Sequence, residues 1–237
     1  MNPWLYRFRS WRLRRKLVAG AVPEAVRFHL DVPSTQKFFQ PADKSRFVVF
    51  DVEMTGLGPG DRLLSVGAVR IDASRLILGD NFHEIVDPGR DIPPETVLVH
   101  NIVPGMASGR PSAATIMPEF LKFIGSDVLV AHNARFDLEF INREMTAHFG
   151  LPLLNPVIDL LLLSRTNSYL REKYVLTDAT TDHSLDGLAA AFGLTIEDRH
   201  SAFGDSLAAG LIFLRLMKSL QRFGIYKVKH LYKAGGL

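Results

Sequence analysis

Asp51 and Glu53 stand two residues apart, directly after the apolar run Phe47-Val48-Val49-Phe50. In an extended chain that spacing puts both side chains on one side. Two same-side carboxylates closing a buried strand are costly unless a cation compensates them. Thr55-Gly56-Leu57-Gly58 comes next, a turn whose glycines let a ligand approach the backbone. A second group, His132-Asn133-Ala134-Arg135-Phe136-Asp137, follows the run Val128-Leu129-Val130-Ala131. A third is His200-Ser201-Ala202-Phe203-Gly204-Asp205. Asp137 falls in the first turn of a helix, where an aspartate taken alone is more often a cap or dipole partner than a ligand. Five residues of ideal helix turn about 500°, or about 140° around the axis, so His200 and Asp205 cannot share a helix face. The workable geometry has His200 on the entering loop and Asp205 in the helix. Taken together, Asp51, Glu53, Asp137 and Asp205 are hard oxygen donors that suit Mg²⁺ or Mn²⁺ rather than Zn²⁺. Two such ions roughly 4 Å apart activate water and stabilise the leaving oxygen of a phosphodiester. A histidine titrating near neutrality can take the water's proton.

These residues need a scaffold that brings three distant segments to one edge. Residues 47–50, 63–71, 76–86, 128–131 and 157–158 read as strands, with Asp72-Ala73-Ser74 turning the second into the third as a hairpin. Residues 111–124, 135–149, 160–170, 184–192 and 202–223 read as helices, the second ended by Gly150 and Pro152. A hairpin of strands followed by strands alternating with helices indicates a mixed α/β sheet covered by helices. Phe47, Phe50, Phe120, Phe123, Phe140 and Phe213 are expected in its core.

The chain has 237 residues and 47% hydrophobic content, enough for one full domain with extensions. It has no cysteine, which excludes disulfides, thiolate zinc sites and cysteine nucleophiles. Charge is divided unevenly. Residues 1–46 carry ten Lys/Arg against three Asp/Glu, residues 47–214 twelve against twenty-two, and residues 215–237 six against none. An acidic middle suits cations, and basic ends suit an anionic polymer. No apolar run approaches 18 residues, so no helix is expected to span a membrane. Trp4, Phe8, Trp11 and Val18 recur at helical spacing among six Arg/Lys, which makes residues 1–20 a basic amphipathic segment. Either it packs on the main domain or it meets nucleic acid, a membrane surface or a partner. Residues 31–45, with Pro33 and Pro41, read as a linker. The organisation is therefore a basic extension and linker over 1–45, a domain over 46–223 and a basic tail over 224–237.

With these three segments in this order, the sequence resembles the DEDDh family of 3′→5′ exonucleases, above all the branch with the proofreading epsilon subunit of bacterial replicative polymerase. The resemblance covers residues 46–217. It implies a ribonuclease H-like fold, α/β with a five-stranded mixed sheet flanked by helices. It implies two Mg²⁺ (or Mn²⁺), with Asp51 bridging them, Glu53 and Asp205 on the nucleophile-side ion, Asp137 completing the second site, and His200 as general base. It implies a substrate site made by Met54, Thr55, Gly56, Leu57, His132, Asn133 and Phe136, with the Thr55 backbone holding the terminal nucleotide and Leu57 wedged against its base. The expected partner is nucleic acid with a free 3′ end, single-stranded DNA favoured, alongside a polymerase or repair protein in a bacterial cytoplasm. Glu53-Met54-Thr55-Gly56 is closer to oligoribonuclease, which leaves an RNA-end or short-oligonucleotide exoribonuclease as a second reading. A non-catalytic binding module on the same fold is a third, opposed by the intact carboxylates and His200. Asp159 is expected to cap or support; His83, His100 and His183 to be structural or exposed; Asp178 and Asp182 to be solvated. Gly56 and Gly58 lack the Lys-Ser/Thr sequel of a phosphate-binding P-loop.

Overall fold

The computed structural model describes residues 35–174 and 181–237. The segment of Trp4, Phe8 and Trp11 and the loop residue Asp178 lie outside the described residues. Five strands, β1 (Arg46–Met54), β2 (Leu63–Asp72), β3 (Arg75–Ile85), β4 (Val128–Ala131) and β5 (Val157–Asp159), form one sheet in the order β3-β2-β1-β4-β5. The β1–β2 and β2–β3 pairs are antiparallel, and the β1–β4 and β4–β5 pairs are parallel. Around it lie α1 (Thr35–Phe39), α2 (Pro94–His100), α3 (Pro104–Ala107), α4 (Ala113–Ile124), α5 (Arg135–Phe149), α6 (Leu160–Lys173), α7 (Leu185–Ala191), α8 (Ala202–Gln221) and α9 (Val228–Gly235). This is the five-stranded mixed α/β sheet of the ribonuclease H-like fold.

The central strand β1 is apolar on both faces because both are covered. Val48, Phe50 and Val52 pack with Phe120 of α4 and Ile141 of α5. Phe47 and Val49 face the other way, onto Ile212 and Phe213 of α8. The expected core phenylalanines are buried, except Phe123, which lies partly exposed at the core edge with the Arg70 guanidinium 4.7 Å from its ring centre. His100 is buried and accepts the Ile102 N–H, His183 meets the Ser164 hydroxyl, and His83 stacks on Phe203.

Three boundaries differ from the sequence reading. First, β1 runs from Arg46 through Met54, past the acids expected at its end. It stays paired with β2 through Met54↔Leu63, so Asp51 and Glu53 lie within the strand. Its parallel pairing with β4 ends at Val49↔Val130, so the acids stand beyond the carboxyl end of the parallel pair. Second, the described part of the 31–45 linker is structured. Phe38 packs edge-on against Tyr232, and the Ala42 N–H bonds to the Tyr226 carbonyl. Third, the basic 224–237 tail contains a helix that the sequence reading did not mark. Val228 and Leu231, three apart, are buried on one face of α9, while Lys229 and Lys233 face water. Leu237 N–H then bonds to the Val157 carbonyl beside β5.

Leu231→Ala is therefore expected to destabilise the protein by about 2–5 kcal/mol, the usual cost of truncating a buried leucine. Urea unfolding checks this; a loose tail would leave the midpoint unchanged.

Candidate active site

The pleat of β1 alternates its side chains, so Asp51 and Glu53 fall on the α8 face with Phe47 and Val49. In cross-strand register Asp51 lies opposite Gly67. A Cβ on Gly67 would collide with the Ala202 carbonyl and the Phe203 nitrogen. The missing side chain lets the first turn of α8 settle on the sheet, and that turn carries Asp205. Ser201 caps the helix by accepting the Gly204 N–H at 3.0 Å. As a result Asp51, Glu53 and Asp205 each offer a carboxylate oxygen, all within 4.8 Å of one another.

Asp137 and His200 adjoin this group. Asp137, in the first turn of α5, is buried and accepts the Val52 N–H at 3.1 Å. It borders the cluster from the far side of β1 but is not among the three grouped acids. His200 is exposed on the loop entering α8, in the left-handed region at φ 61°, and its backbone N–H points to Asp205 Oδ1 at 3.4 Å. The division between loop histidine and helical aspartate is the one the spacing required. Leu57 and Phe136 are exposed apolar side chains, 68% and 43% accessible, whereas Met54 leans on the core. Thr55 is buried, with its N–H on the Arg62 carbonyl and its hydroxyl on Asp61. Gly56 has no room for a Cβ beside the Asp61 carboxylate. Asn133 sits in the left-handed region, and its N–H is held by Asp159, which also caps α6 through the Leu161 N–H. Asp182 is exposed and accepts the Ser184 N–H.

The electrostatics follow from crowding. Burial, and then the charges of Asp137, Glu53 and Asp205, push the Asp51 carboxyl well above the usual carboxylate range. Burial, with Asp205 and Asp137 adding to it, raises Glu53 to about 8. Burial likewise raises Asp137 against the pull of the Val52 N–H. His132 is half-buried, and its pKa falls to about 4 through burial and the nearby Arg199 cation. A desolvated set of oxygen donors that resist carrying their charges together fits a hard divalent cation.

Residues 48–213 match the profile of the RNase_T exonuclease family. The chain belongs to the exonuclease family. The chain is 43% identical over 189 residues to a DNA polymerase III subunit epsilon-like protein of Rhodobacter capsulatus, covering 78% of its own length and 25% of the relative. It thus spans about a quarter of that relative's length. Against the DNA polymerase III subunit epsilon of Treponema pallidum it is 33% identical over 173 residues, 72% of this chain and 76% of that one. Its fold superposes on Escherichia coli Exonuclease I, solved with a dT13 oligonucleotide, at a TM-score of 0.61 and 21% identity, over 76% of this chain and 42% of that one.

Four residues at or beside the site escaped the sequence reading. Arg199 bridges Asp205 and Asp186. Asp61 ties the 55–62 loop together through Thr55 and the Gly58 N–H, and Arg143 from α5 clasps the Pro59 and Asp61 carbonyls at 3.2 and 2.7 Å. Arg199 adjoins His200, which was a signal of sorts. Asp61, Arg143 and Asp186 lie in no motif, and their partners become neighbours only in the fold.

Because the folded Glu53 binds its proton more tightly than an ordinary glutamate, its contribution to stability is full below about 4.5 and is lost as pH rises through about 8. In chelator, the Tm is expected to fall between pH 6 and pH 8.5, and Glu53→Gln to flatten that fall. Mn²⁺ is expected to raise the Tm more at pH 8.5 than at pH 6, since protons compete with the ion for these carboxylates. Thermal melts with and without metal check both signs.

Proposed function

We propose that this exonuclease is a DEDDh-type, divalent-metal-dependent enzyme that hydrolyses phosphodiester bonds at 3′ ends and releases nucleoside 5′-monophosphates, with single-stranded DNA preferred. The observation that carries the reading is the convergence of Asp51, Glu53 and Asp205 within 4.8 Å beside the exposed His200. Asp51, Glu53 and Asp205 would hold Mg²⁺ or Mn²⁺, and Asp137 would join them from its position under Val52. When bound, two such ions supply water activation and stabilisation of the leaving oxygen. His200, exposed beside Asp205, would accept the proton of the attacking water on its imidazole. Leu57 and Phe136 offer apolar surface to the terminal base, and the braced 55–62 loop keeps Leu57 in place. The DNA preference is supported by the epsilon names of the relatives and by the oligonucleotide in the Exonuclease I structure. The same names support work beside a polymerase or repair assembly in the bacterial cytoplasm.

The test is digestion of 5′-labelled single strands with Mg²⁺. A ladder shortening from a free 3′ hydroxyl is expected, with DNA cut faster than RNA, and no cleavage of closed circles or 3′-phosphorylated strands. Equal cutting of circles would reject exonuclease action, and faster cutting of RNA would favour the exoribonuclease reading. Asp51→Ala is expected to abolish turnover.

His200→Ala is expected to lower kcat by about 10²–10⁴-fold, the range for losing a general base. Mn²⁺ binding, followed by calorimetry, should survive that change. Loss of metal binding in the variant would make His200 a support of the cluster instead.

A further inference from the structure

Arg199 reaches the carboxylate cluster directly. Its Nη1 donates to Asp205 Oδ2, and its Nε and Nη2 clasp Asp186 at 2.7 and 3.2 Å. The two acids are unlike: the Asp205 side chain is 10% exposed, that of Asp186 65%. One guanidinium therefore links an inner acid of the cluster to an outer acid at the start of α7. The other Asp205 oxygen receives the His200 N–H. Both oxygens of Asp205 are thus engaged by the chain itself. The charge of Arg199 also opposes the upward push on Asp51 and Glu53.

A divalent ion taking an Asp205 oxygen must compete with this guanidinium and bear the repulsion of its charge. The planar fork already makes two of its three bonds to Asp186, so Asp186 can keep Arg199 after Asp205 is given up. We propose that Arg199 is a built-in counter-cation of the carboxylate cluster, exchanged for the divalent ion and then retained by Asp186, so that the Arg199–Asp186 pair sets how tightly the ion is held. The proposal rests on reading Asp51, Glu53 and Asp205 as metal ligands. Arg199 acts through Asp205 and is a positioning residue.

The test is calorimetric titration of the full chain with Mn²⁺ alone, alongside melting in chelator. Arg199→Met is expected to tighten Mn²⁺ binding about tenfold, as one nearby positive charge is removed, and to lower the Tm in chelator. Asp186→Asn leaves Arg199 with Asp205 as its remaining carboxylate in this bridge, so Mn²⁺ binding is expected to weaken. In the double variant the Asp186→Asn effect should vanish. Simple damage to the fold would weaken binding in both single variants alike. Unchanged or weaker Mn²⁺ binding by Arg199→Met overturns the proposal, as does tighter binding by Asp186→Asn. Should Arg199→Met not fold, Arg199→Gln, which also removes the charge, takes its place in the same titration, with tighter Mn²⁺ binding again expected and unchanged or weaker binding again overturning the proposal. A wild-type chain that binds no Mn²⁺ would instead refute the metal-ligand reading on which the proposal stands.

Discussion

Carboxylates held within 4.8 Å of one another in a partly desolvated setting repel strongly, and a chain left to itself would spread them apart. Here they come from two elements that are hard to move. Asp51 and Glu53 are fixed by the pairing of β1 with β2, and Asp205 by the first turn of a twenty-residue helix. The repulsion is met in three ways. Crowding favours proton binding at Asp51 and Glu53, the Arg199 guanidinium leans on Asp205, and a hard cation fits the oxygen set. Each option trades against the others, so proton, arginine and metal are linked at one site.

The approach of α8 to the sheet makes this crowding possible. Gly67 clears space for the helix entrance, and Gly210 further along lies against Leu76. Beneath the helix, Ile212 and Phe213 seal onto Phe47 and Val49, with the Phe47 and Phe213 rings 4.9 Å apart. The apolar contacts along this helix stabilise the geometry that its polar first turn strains. The early end of the β1–β4 pairing completes the arrangement, since it leaves an opening where the acids emerge. Ligand sites beyond the carboxyl ends of parallel strands follow the same logic in other open sheets.

The 55–62 loop shows a second kind of positioning. It has no hydrophobic core of its own. Asp61 holds it from within through Thr55 and Gly58, while Arg90 and Arg143 hold it from outside. Arg143 comes from α5, the helix that also carries Phe136 and Asp137. The two exposed apolar side chains, Leu57 and Phe136, are therefore connected through one guanidinium rather than through solvent.

Much was legible in the sequence by itself. The alternation that puts Asp51 and Glu53 on one side is a property of any extended strand, and the helical arithmetic that separates His200 from Asp205 needs no tertiary contact. The five strands and the long helices were likewise written in their apolar periodicity. Arg199, Asp186, Asp61 and Arg143 were not, because charged residues outside a motif carry no periodic signal, and the partners named for them lie anywhere from three to eighty-four positions away. The extent of β1 was hidden because pairing with β2 carries it through acidic residues that propensity would treat as its end. The helix in the basic C-terminal tail was not legible for a related reason: Val228 and Leu231 are too few to announce it, and packing against α6 and β5 is what buries them. Local spacing determined which groups could do chemistry; which oxygens meet, and which cation faces them, was decided by how closely α8 can approach the sheet over Gly67.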